Sequence, residues 1–172
     1  MATLLAITYP DADRAKQAME SVDWSHLDHL IRVKDACWIR NENGELAVHP
    51  WHPVAGKAVL GGGVGLLVGA LFSVPVVGLA AGALIGIRKA KQRVSGLDPR
   101  FVASIEAQLE SGGSAIIALF DEGADTTRAG ADLARFGGTV HSADLSPDQL
   151  AGFQARLDQA AEQAAATGNA SS

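Results

Sequence analysis

Two histidine pairs offer the first chemistry to weigh. His26 and His29 stand three apart, and His49 and His52 repeat that spacing within His49-Pro50-Trp51-His52-Pro53. Four converging imidazoles would suit zinc or nickel. Pro50 and Pro53, however, deny the second pair a helical ligand face, so loop histidines without a metal are the plainer reading and no cofactor is expected. Cys37 sits beside Trp38 in a strand-like stretch with no base at a fixed spacing, which reads as a buried thiol rather than a nucleophile. Asp121, Glu122 and Asp125 follow an apolar run where catalytic carboxylates can sit, and they suit a solvated turn and a helix start equally well. Gly61-Gly62-Gly63-Val64-Gly65 lacks the lysine and hydroxyl residue of a phosphate loop. No catalytic constellation emerges, and the expectation is a protein that is not an enzyme.

The glycines follow a different rule. From residue 58 to residue 87 no charge occurs; Lys57 precedes the run, and Arg88, Lys89, Lys91 and Arg93 follow it. Gly61, Gly65 and Gly69 recur every four residues and Ser73 continues the line; past Pro75, Gly78, Gly82 and Gly86 do the same, continued by Ala90. On a helix that spacing makes one nearly bare face, against which a second helix can pack closely. Pro75 breaks the run, so two antiparallel arms at 58–73 and 76–90 are expected, each rising about 22–24 Å, short of a bilayer core of roughly 30 Å. A glycine-zipper hairpin, re-entrant in membrane or buried between subunits, follows. Trp51 is placed to anchor at an interface, and the basic residues to meet anionic headgroups.

Charge is distributed to match. The chain carries 19 acids against 14 Lys and Arg, net −5, with 48% apolar and 19% charged residues, a composition that buries a core. The segments 1–56 and 101–172 are acidic, whereas 57–100 holds six bases and only Asp98. An acidic body with a small basic cluster and no recognition motif argues against nucleic acid. One cysteine precludes an internal disulfide. The opening residues show no secretory signal, so a place on the cytoplasmic side of the inner membrane is expected, or the cytoplasm itself if the hairpin is enclosed by protein.

The remaining sequence must supply the scaffold. Residues 3–9 read as a strand, and Ala15, Ala18, Met19 and Val22 as the stripe of a short helix. Asn43-Gly44 joins strands at 31–40 and 46–49 in a hairpin. Asp98-Pro99 starts a helix with Val102, Ile105 and Leu109 inward, stopped by Gly112-Gly113. A central strand follows at 114–120, then a helix near 125–136 and a strand at 139–143. Ser146 and Gln149 form a capping box for a last helix. The expected fold class is α+β: a ferredoxin-like βαββαβ sandwich to residue 120, helices on one face, with a C-terminal α-β-α extension. By segment, 1–53 and 96–145 make the body, 54–95 the inserted hairpin, 146–166 a C-terminal helix and 167–172 a disordered tail.

This order resembles a bacterial family catalogued as domain of unknown function 1269, described as predicted membrane proteins. The resemblance rests on LLAITYPDADRAKQAME, DACWIRNENGELAV, the glycine-rich run, LDPRFVASIEAQLESGGSAIIALF and ARFGGTVHSADLS, across roughly residues 3–150. It implies bacterial origin and membrane association, and brings no reaction or catalytic residue with it. The long alanine-rich C-terminus exceeds the family pattern.

Overall fold

The computed structural model describes residues 1–22, 33–51, 83–86, 97–152 and 155. In chain order the elements are β1 (Ala2–Tyr9), α1 (Arg14–Ser21), β2 (Val33–Glu42), β3 (Glu45–Trp51), β4 (Ala83–Gly86), α2 (Pro99–Glu110), β5 (Ser114–Phe120), α3 (Thr126–Ala134) and β6 (Thr139–Leu145). They form an α+β structure on one antiparallel sheet of order β4-β3-β2-β5-β1-β6.

β1 and β5 are buried along nearly their whole length because both of their faces are covered. Odd and even positions divide the core. Leu4, Ala6, Ile117 and Leu119 pack with Phe101, Ile105 and Leu109 of α2 on one face. Leu5, Ile7, Ile116 and Phe120 pack with Ala15, Ala18 and Met19 of α1 and Ala129 and Leu133 of α3 on the other.

Helices therefore cover both faces, which corrects the expectation of a single helical layer. The run up to residue 120 also pairs differently from the sandwich expected of it. β5 lies between β1 and β2, and β1 lies between β5 and β6. The two interlocked β-α-β units are thus β1-α1-β2 and β5-α3-β6, while β3 and α2 stand outside them. Consecutive order alone does not say which helix crosses which face.

Local signals were kept. Asn43 and Gly44 both have positive φ, 55° and 86°, as a two-residue hairpin turn requires. The Asp98 carboxylate accepts from the Arg100 N–H at 2.8 Å and Pro99 opens α2. At the other end Gly112 N–H donates to the Leu109 carbonyl and Gly113 N–H to that of Gln108, closing the helix with Gly112 at φ 90°. In α2, Phe101 is buried beside Ile105 and Leu109, whereas Val102 packs at the margin of that core. The Ser146 N–H donates to Gln149 Oε1 at 2.8 Å and the Gln149 N–H to Ser146 Oγ at 3.2 Å.

The glycine-rich run holds the main difference. Ala83–Gly86, expected inside a helical arm, is a strand pairing Val48 with Ala83, Ala47 with Leu84, Leu46 with Ile85 and Glu45 with Gly86. An arm helical throughout 76–90 is excluded, and Gly86 is removed from any line of glycines spaced four apart on a helix. The reason is competition. Leu46 and Val48 are apolar edge-strand residues whose backbone needs a partner, and ladder pairing supplies it where a glycine-rich helix has weak propensity. The expected C-terminal helix is described only in its opening turn, and the tail at 167–172 lies outside the described residues.

Candidate functional site

β3 and β4 are adjacent and antiparallel, so the chain between them, residues 52–82, leaves the sheet past Trp51 and returns to it at Ala83. Both ends of this excursion belong to one sheet edge. Lys57, Gly61, Gly65, Gly69, Ser73, Gly78 and Gly82 all fall within the excursion and lie outside the described residues, as do Arg88, Lys89, Ala90, Lys91 and Arg93.

The direction of β4 bears on the basic residues. Gly86 pairs with Glu45, beside the Asn43-Gly44 turn, so β4 ends at the end of the sheet opposite to Trp51. The two basic flanks were expected to return together to one side. Both flanks lie outside the described residues.

Two pairs inward from Trp51, which lies opposite Ala36, a cluster occupies the α1 face of β2 and β3. The His49 ring stacks on Trp38 with centroids 3.8 Å apart and planes within 11°. The Arg40 guanidinium lies 5.8 Å from the Trp38 centroid and donates to Asp13 Oδ1 at 2.7 Å and, through Nε, to Glu42 Oε1 at 2.6 Å. Hydrogen bonding to Glu42, above all, raises the Arg40 pKa further. The Arg40 and Asp13 side chains are 30% and 60% exposed, so that pair contributes only about 0.2–1 kcal/mol and serves mainly to orient the guanidinium. Burial, then the charge of Arg40, hold the His49 pKa below the usual imidazole value, and its Nε2 is buried without a hydrogen-bond partner.

The same sheet end is fixed on the opposite face, where Asn41 Nδ2 donates to the Leu109 carbonyl at 3.0 Å. Ser114 Oγ donates to the Asp11 carbonyl at 2.6 Å and accepts from the Ala15 N–H at 3.0 Å, pinning the entry to α1.

Of the histidines singled out, only His49 falls among the described residues; His26, His29 and His52 lie outside them. Among the described residues no group of three or more potential ligands gathers for a metal. Cys37 is buried and, as the sole cysteine, forms no internal disulfide. Asp125 caps α3 by accepting from the Arg128 N–H at 3.0 Å, the structural reading of that acidic turn. The Trp38–His49 stack was not anticipated, although its signal was present. Once Asn43-Gly44 is the turn, positions whose numbers sum to 87 face each other, and 38 and 49 are such a pair.

An α+β body on one antiparallel sheet, with the glycine-rich residues 52–82 between two of its adjacent strands, defines the class of molecule. The model of the family described as Protein of unknown function (DUF1269) matches residues 58–158. That is more than half of the chain, and the chain belongs to this family. No curated protein and no solved structure matches it.

Proposed function

We propose that this is a non-enzymatic bacterial protein that associates with the cytoplasmic side of the inner membrane through the excursion at 52–82 and self-associates through its glycines. The observation that carries the reading is the β3–β4 pairing, which returns an uncharged, glycine-spaced run to the edge it left. Gly61, Gly65, Gly69, Ser73, Gly78, Gly82 and Ala90 supply the helix-packing positions, without Gly86.

Length argues for shallow entry. If Pro75 ends the first arm, the seven residues 76–82 rise about 10 Å as a helix, far less than the roughly 30 Å hydrocarbon core. Lys57 and Trp51 flank the entry side and meet headgroups there. A soluble homo-oligomer with the excursions buried between subunits is the second reading, favoured by the same short return. The interlocked units β1-α1-β2 and β5-α3-β6 are read as a ferredoxin-like core to which β3, β4 and α2 are added.

Ultracentrifugation of expressed protein before and after a carbonate wash tests the membrane reading. Carbonate-resistant sedimentation with membranes is expected. A single large species that stays soluble without detergent would overturn lipid contact and leave the enclosed assembly.

A further inference from the structure

We infer that β6 is a self-pairing edge: two copies of the chain join their sheets antiparallel about a two-fold axis through Ser142. β6 is the outermost strand on its side, hydrogen-bonded to β1 over seven consecutive positions without a register shift. Its other edge pairs with no strand among the described residues. The sequence Thr-Val-His-Ser-Ala-Asp-Leu holds no Lys, Arg or Pro, the usual means by which an edge is kept from pairing. Thr139, Val140, Ser142 and Asp144 are exposed, and Val140, at 41%, is the one large apolar side chain inside any described element that is so open.

A second copy is the partner this edge fits. Side chains alternate across a sheet, so a two-fold that keeps each face on its own side must pass through a residue. Centring it on Ser142 is the choice that pairs all seven residues: Thr139 with Leu145, Val140 with Asp144, His141 with Ala143, and Ser142 with itself. No like charges then stand opposite each other. Asp144 is the strand's sole carboxylate; it already accepts from Thr3 Oγ1 at 2.9 Å and would lie across from Val140 of the other copy.

Seven residues a side fall short of the roughly 20–30 a side of a standard interface, so a second contact is required. α3 supplies it. Gly130 sits so close to Val140 that an added Cβ would lie 3.1 Å from its Cγ1, which turns this flank of the helix toward β6. Thr127, three before Gly130, is exposed on the same helix and within reach of the second copy's α3 in this pairing. This interface is independent of the glycine-rich excursion.

The test is oxidative cross-linking of full-length Ser142→Cys, in detergent if the protein sediments with membranes. Directly opposed residues of an antiparallel pair bring Cα atoms to about 4.5–5.5 Å, within disulfide range, and the native Cys37 is buried. A disulfide-linked species of twice the chain mass is expected in high yield, against background for the exposed control Glu110→Cys. It should persist when Gly65→Leu and Gly82→Leu are added, and Ser142→Lys should reduce the mass attributable to this interface by half. Equal cross-linking of Ser142→Cys and Glu110→Cys would overturn the proposal, even if glycine-mediated oligomers remain.

Discussion

The surroundings of His49 disfavour its charged form. Burial disfavours its charge, Arg40 and Lys16 add to that, and Glu42 alone opposes it. Because the folded pKa is lowered, the unfolded chain takes up the proton first as pH falls. Stability is intact above the ordinary imidazole range and declines as pH drops through about 6.5, until the folded ring protonates as well. His141, whose Nε2 lies 3.2 Å from Thr8 Oγ1, is shifted downward by burial and adds the same sign. His49→Phe keeps an aromatic stack and removes the titration. Its denaturation midpoint should therefore vary less than the parent's between about pH 7 and pH 5; an unchanged slope would refute the assignment to His49. Sterics make a separate prediction at Gly113. A Cβ there would lie 2.8 Å from the Gln108 carbonyl oxygen and press on that of Tyr9, both backbone atoms. Gly113→Ala should cost about 2–3 kcal/mol in equilibrium unfolding, since backbone on both sides cannot move away.

Among elements, those with local signals were readable and those settled by competition were not. β1, β5, α1 and α2 follow from apolar runs, stripe spacing and caps within a few residues of chain. Asp98→Ala should lower stability by about 1 kcal/mol through loss of its bond to the Arg100 N–H, and thermal unfolding would report it. β4 was hidden for a physical reason. Its four residues, Ala-Leu-Ile-Gly, sit inside a run whose glycine spacing fits a helix, and only the unpaired edge of β3, far off in sequence, decides for strand. The layer positions of α1, α2 and α3 were likewise invisible, because amphipathic stripes reveal an apolar side and not the sheet face it meets. At the candidate site, Trp38 and His49 were legible only through the hairpin register, while the pairing of Arg40 with Asp13 crosses from β2 to the α1 entry and carries no sequence signature.

For the whole molecule, two cores share one sheet, and the described packing draws on neither arm of the glycine run beyond β4. Replacing residues 52–82 by a short Asn-Gly loop should leave a folded body with its thermal transition preserved, while carbonate-resistant membrane association is lost. A body that no longer folds would mean the excursion is part of the core. The strand order carries a further consequence for biosynthesis. β1 and β2 do not pair with each other; β5 stands between them, joining Thr3 to Phe120 and Val33 to the same residue. On the ribosome the uncharged run at 58–87 therefore emerges before the strand that closes the sheet has been made. During that interval the most apolar part of the chain is presented by an unfinished body, and under the proposed function its receiver, bilayer or sister chain, has the first opportunity to bind before folding ends.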